Sequence, residues 1–173
     1  MNLQKLNIMP EAEFVSVLGG IFEHSSWVAQ AAVHKRAFAT VGALHQAMVQ
    51  AVDAAHRDQQ LSLIRAHPDL AGKAARAGNL TDASTSEQKT AGLDQLTEAE
   101  FTRFHQLNDA YKQRFSFPFI LAVRGFGGKT HDKYSILEAF ELRLKNTPDQ
   151  EIAEALRQIA RIAELRLGDM LKQ

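Results

Sequence analysis

A chain of 173 residues, 45% hydrophobic and 23% charged, is long enough to bury one sizeable core. Its 20 basic and 20 acidic residues balance, unlike the basic excess of a nucleic-acid binder, and the lack of cysteine excludes disulfide frameworks, thiol nucleophiles and thiolate metal sites. No apolar run approaches the roughly 20 residues of a membrane helix, residues 1–10 lack a secretory apolar stretch, and the ending Leu171-Lys172-Gln173 is not a peroxisomal address; the expectation is a soluble cytoplasmic protein with no membrane partner.

In chain order, nearly every segment carries helical signals. Pro10 to Leu18 reads as a first helix broken at Gly19-Gly20, and Ser25 can cap a second over Ser26 to Phe38. Gly42 to Ala55 and Asp58 to Ala66 read as a third and fourth. His67-Pro68 stops the pattern, because proline disfavours helical geometry in the residue before it. Asp69 to Ala83 holds Gly72, Gly78 and Asn79 and reads as a loop with at most a helical turn. Two capping boxes follow: Ser84-x-x-Glu87 opens a helix to about Ala91, and Thr97-x-x-Glu100 opens another to about Phe115. Phe117 to Val123 is apolar and contains Pro118, which leaves an extended segment and a buried turn both open. Gly125, Gly127 and Gly128 read as a flexible link, and His131 to Lys145 returns to helix. For the last helix Thr147 is the N-cap, Pro148 takes the first position and Gln150 completes a capping box; Ile152, Leu156, Ile159 and Ala163 then form one apolar stripe. The fold expected is all-α, a single domain over residues 1–173 with about eight helices around one core.

Three residues stand out chemically. His67, at a helix end beside Pro68, titrates near neutral pH as a general acid or base must, although it can equally just complement the dipole of the preceding helix. Glu87 is either the acidic half of a capping box or a carboxylate facing a pocket; Ser84 and Gln88 share its helix start, where exposed N–H groups suit an anionic or carbonyl-bearing ligand. Arg166 falls where the last helix's stripe calls for an apolar residue, so it should meet a carboxylate, of the protein or of a ligand. Arg161 belongs to the opposite face and reads as a surface residue. His24, His34, His45, His56, His105 and His131 are scattered, and with no metal-binding or nucleotide-binding motif no metal is expected.

The run His67-Pro68-Asp69-Leu70-Ala71-Gly72-Lys73 resembles the signature of the OHCU decarboxylase family (2-oxo-4-hydroxy-4-carboxy-5-ureidoimidazoline decarboxylases). In order along the chain there follow Ser84-Thr85-Ser86-Glu87-Gln88, Ala91-Gly92-Leu93, Leu107-Asn108 with Tyr111, Phe117-Pro118-Phe119-Ile120, Arg143-Leu144 with Asn146, and Leu165-Arg166-Leu167. One departure is Ser116, where the family often has glycine.

The resemblance implies an all-helical, often dimeric enzyme that converts OHCU to (S)-allantoin and CO2 without a cofactor, the last of three steps from urate. It implies catalytic roles for His67, Glu87 and Arg166, with Arg161 as the fallback arginine. It implies substrate contacts for Pro68, Ser84, Gln88 and the segment Phe119, Ile120, Leu121, Ala122 and Val123. Two other readings stay open: a decarboxylase or lyase for a related ureido acid on the same scaffold, and a non-catalytic helical module that binds a ligand.

Overall fold

The computed structural model describes residues 1–171; Lys172 and Gln173 of the terminal tripeptide, and the side chain of Lys73 in the His67–Lys73 run, lie outside the described residues. The helices are α1 (Leu3–Ile8), α2 (Glu11–Leu18), α3 (Trp27–Ala32) with a 3-10 turn at Val33–Lys35, α4 (Val41–Asp53), α5 (Arg57–Arg65), α6 (Lys73–Arg76), α7 (Asp82–Thr90), α8 (Glu98–Phe115), α9 (Lys133–Arg143) and α10 (Pro148–Leu171). Among the described residues there is no β-strand, only an isolated bridge between Arg124 and Thr130, so the expected all-α class holds. No described helix is long and apolar enough to cross a membrane.

The chain divides into two compact units. The first comprises Met1–Ala66 and the chain from Ile162 on. Its buried side chains include Leu6, Phe14, Leu18, Val28, Leu44, Met48 and Leu63, and α3 packs on α2 and α4. Composition alone gave no sign of α1, yet Asn2 caps it by accepting from the Lys5 N–H (2.9 Å), and Leu6 anchors it in the core.

The helix expected over Ser26 to Phe38 is shorter than its sequence signals. The Ser25 hydroxyl donates to the Glu23 carbonyl (2.9 Å) rather than capping, and the helix starts at Trp27. At its far end Asn7 takes both the N–H (2.8 Å) and the C=O (2.9 Å) of Phe38, and Arg36 donates to the carbonyls of Val33 and Met9. Those backbone groups are committed to side chains from α1 and its neighbourhood, so a helical ladder cannot use them.

The second unit, His67–Arg161, is built on an aromatic cluster. Phe119 and Phe140 stack at 3.7 Å between ring centroids, and Tyr111 meets Phe115, Phe117, Phe119 and Phe140 at 4.6–6.4 Å. The Thr97 cap on α8 forms (3.1 Å to the Glu100 N–H), while the Glu100 carboxylate pairs with Lys133 (2.6 Å). The Thr147–Gln150 box on α10 closes in both directions, at 2.9 and 3.3 Å. Helix α9 starts two residues later than expected, at Lys133, because Asp132 and Ser135 form their own capping box.

Candidate active site

Helix α7 begins earlier than its sequence signals suggest, and this changes what Glu87 is. The cap is Thr81, whose hydroxyl accepts from the Ser84 N–H at 3.2 Å. Ser84 is therefore inside the helix and buried, and Glu87 lies in mid-helix, so a capping box at Ser84-x-x-Glu87 does not form. The Ser84 N–H is likewise taken and is not one of the open amides expected there. Ser84, Glu87, Gln88 and Ala91 follow i, i+3, i+4, i+7 spacing and form the less exposed face of α7.

That face reaches the loop after His67. His67 is buried, and the three residues after Pro68 are held by side chains from two helices. Gln88 accepts from the Ala71 N–H (2.9 Å) and donates to the Asp69 carbonyl (3.2 Å). Asn108 donates to the Leu70 carbonyl (2.9 Å), and Lys112, one turn along α8, donates to the Asp69 carboxylate (2.6 Å). The grip holds Ala71 at φ 52°, left-handed backbone that costs an L-residue about 1–2 kcal/mol. Gly72 is needed as glycine here, since a Cβ would come within 2.8 Å of the Asp69 Cβ. Gln88 thus has both ends of its amide engaged in fixing this loop.

The segment Phe117 to Val123 is buried throughout and forms no helix, turn or bend from 118 to 122, so the buried-turn reading does not hold there. Its backbone is satisfied by side chains. Arg143 donates to the Ile120 carbonyl (2.5 Å), and the Gln158 amide oxygen accepts from the Ala122 N–H (2.9 Å). Arg143 is oriented by three hydrogen bonds to the fully buried Glu151, which also receives the Tyr111 hydroxyl and the Asn146 amide. Burial, then the hydrogen bond to Glu151, push the Tyr111 hydroxyl far above its ordinary pKa, so it stays a donor. Neither the N–H nor the C=O of Phe119 or of Leu121 has a hydrogen-bond partner among the described residues, although both residues are buried and lie on alternate positions of the segment. Buried backbone groups are nearly always paired, so unmatched donors and acceptors on alternate residues mark an edge that a ligand or water completes.

Helix α8 supports both pieces from one face. Asn108 and Lys112 hold the loop after His67, and Tyr111 packs on Phe119 at 5.3 Å. The sequence assigns Asn108, Tyr111, Arg143 and Asn146 no role beyond the family pattern; they hold the loop after His67 and the 117–123 segment, directly or through Glu151. Glu151 and Gln158 were missed. The available signal was a polar residue on the buried side of α10, the same signal that picked out Arg166.

The two arginines part company. Arg166 is buried as the stripe requires, and its carboxylate is the protein's own: Nη1 lies 2.7 Å from Glu23, with the Gly20 and Ile21 carbonyls at 3.4 Å, all in the first unit. Arg161 is half-buried rather than fully solvated, donates through Nε to the Gly125 carbonyl (3.0 Å), and belongs to the same unit as His67 and the 119–123 segment. A cavity of about 450 Å³ in this unit is lined by Ala71, Gly72, Thr85, Gln88 and Phe101 among others, but not by His67, Glu87 or residues 119–123. Among the described residues no three His, Asp or Glu side chains converge to hold a metal.

A buried histidine next to a clamped loop, a Ser/Glu/Gln helix face and an amide edge define a class: an all-α protein with a candidate small-molecule site around His67. Comparison narrows this. The family model for OHCU decarboxylase matches residues 7–168, and the chain belongs to that family. It is 40% identical over 169 residues to the 2-oxo-4-hydroxy-4-carboxy-5-ureidoimidazoline decarboxylase of Haloferax volcanii, covering 98% of this chain and 95% of that one. It is 41% identical to the uric acid degradation bifunctional protein PucL of Bacillus subtilis, over 99% of this chain and 33% of that one. A solved structure of (S)-allantoin synthase superposes with a TM-score of 0.77 at 36% identity over 99% of this chain; this chain spans about half that protein, 54% of it.

Proposed function

We propose that this protein decarboxylates OHCU to (S)-allantoin and CO2, with His67 as the central catalytic residue. Family membership over residues 7–168 supports the reaction, and the unmatched Leu121 amide edge is the observation that carries the site. When the C–CO2 bond breaks, its electron pair flows toward the adjacent ring C=N, whose nitrogen takes up a proton. The nitrogen keeps that proton; the resulting enol then gives up its hydroxyl proton as C–OH becomes C=O, and the ureido-bearing carbon takes up a proton. No step needs a cofactor. The protein's task is to hold the carboxylate out of the ring plane, stabilise developing charge and deliver the proton to one face.

His67 contacts the carboxylate or hydroxyl end and moves the proton, and Glu87 orients it. Ser84, Pro68 and the backbone of Phe119 to Val123 bind the ureido and ring amides, with Gln88 contributing mainly by fixing the loop. For the arginine we favour Arg161 over Arg166. Arg166 stands out in the sequence as a buried charge in need of a carboxylate, and Glu23 meets that need. Arg161 lies in the His67 unit, tethered two residues beyond the 119–123 segment. We further propose that the chain works as one family domain, in the cytoplasm and as a homodimer, with only the small-molecule substrate as its other partner.

The test is to generate OHCU from urate in situ and follow allantoin formation and chirality by circular dichroism. The parent should give one enantiomer, and His67→Asn should lose about 10²–10⁴-fold in rate, the range for a general acid–base residue. (S)-Allantoin forming as fast with His67→Asn as with the parent would remove His67 from the mechanism. Turnover of a related ureido acid in preference to OHCU would move the substrate assignment.

A further inference from the structure

We infer that Gln158 is a positioning residue that fixes the Leu121 carbonyl as a substrate-binding acceptor, and through it the face on which the product is protonated. The inference rests on the function proposed above. Its geometric basis is the planarity of the peptide unit. In a trans peptide the C=O and the following N–H point in opposite directions and turn together. The Leu121–Ala122 unit carries the Leu121 carbonyl on one side and the Ala122 N–H on the other. Gln158 accepts from that N–H at 2.9 Å. Anchoring the one therefore sets the direction of the other. The preceding unit is held the same way: Arg143 takes the Ile120 carbonyl at 2.5 Å, which aims the Leu121 N–H. Leu121 then presents an adjacent donor and acceptor, the pattern an amide or ureido group matches with two hydrogen bonds.

The two anchors differ in strength. Arg143 sits in a buried network with Glu151, Tyr111 and Asn146. Gln158 makes one neutral bond to the segment, and its own orientation depends on donating to Glu154 (2.7 Å). Glu154 is in turn paired with Arg157 through both oxygens (2.8 and 2.9 Å). Gln158 is 5% exposed, with the apolar Ala155, Ile159 and Ile162 on the same buried side of α10, so an apolar residue would be the default there. A polar side chain kept in that position and spent on one backbone N–H is what a positioning role requires.

The experiment compares Gln158→Met, which keeps the volume and removes the acceptor, with Gln158→Glu/Glu154→Gln, which restores an acceptor for Ala122 and exchanges the amide and carboxylate of the pair. Each is checked for folding by circular dichroism and then assayed with OHCU generated in situ. Gln158→Met should lose about tenfold or more in kcat/KM, mainly through KM, and its allantoin should lose enantiomeric purity. The double variant should recover the purity. A folded Gln158→Met with parental KM and enantiomeric purity overturns the inference, because a purely structural role would lower only Tm. A double variant no better than Gln158→Met overturns it as well. A parent that fails to accelerate OHCU decay overturns the proposed function itself, a result separable from the other two.

Discussion

Ser116 occupies left-handed backbone at φ 63°, closing α8 with its N–H on the Lys112 carbonyl (2.8 Å). The family resemblance leads one to expect glycine at this position, and the geometry suits it: only glycine enters that region without a Cβ penalty. Ser116→Gly should therefore stabilise by up to about 1 kcal/mol, a Tm rise of about 2–4 °C for a chain of this length, measured by thermal unfolding. The arginines give the second residue-scale prediction. Arg161→Lys should lower kcat/KM by about 10–100-fold while folding normally, since lysine cannot copy a guanidinium's bidentate geometry. Arg166→Lys should act mainly on stability, because what it disturbs is the contact with Glu23. A larger catalytic loss in Arg166→Lys, at equal folding, would return the role to Arg166.

At the scale of elements, α7 shows how one cap moved by three residues reassigns a side chain. With the cap at Ser84, Glu87 would be a reciprocating surface acid; with the cap at Thr81, Glu87 lies in mid-helix on the face shared with Ser84 and Gln88. Thr81→Ala should cost about 1 kcal/mol of stability, read from urea unfolding, in line with loss of an N-cap. Ser84→Ala should leave stability closer to the parent's and act on kcat/KM instead. A Ser84→Ala loss of stability as large as that of Thr81→Ala would restore the cap to Ser84. The loop after His67 follows the same logic. Its left-handed Ala71 persists because Gln88, Asn108 and Lys112 together over-determine it, as strained backbone at a working site generally requires.

Across the whole molecule, each compact unit contains a buried arginine–glutamate pair. Arg166–Glu23 lies in the first unit and Arg143–Glu151 in the second. Removing one partner leaves the other charge buried and uncompensated, at a cost of about 3–5 kcal/mol. Glu23→Gln should accordingly lower the urea midpoint sharply, while the double change Glu23→Leu/Arg166→Met should recover much of the loss. If the double variant is as unstable as the single, packing rather than charge governs that site.

The sequence by itself determined the helical class, the caps of α8 and α10, the burial of Arg166 and the family. These rest on local periodicity, on capping chemistry within three residues, and on an ordered series of motifs that needs no three-dimensional context. It could not decide whether Phe117 to Val123 was extended, which residue capped α7, or which arginine stands in the His67 unit. The α7 cap turns on a choice between two neighbouring cap residues, Thr81 and Ser84, with equivalent local signals; the others depend on partners far along the chain: Ala122 on Gln158, Ile120 on Arg143, Arg166 on Glu23. A glutamine on an apolar stripe or a serine before a helix has the same local signal whether it is structural or functional. Only the tertiary structure shows which backbone groups such side chains satisfy, because folding, not local sequence, brings those groups within hydrogen-bond reach.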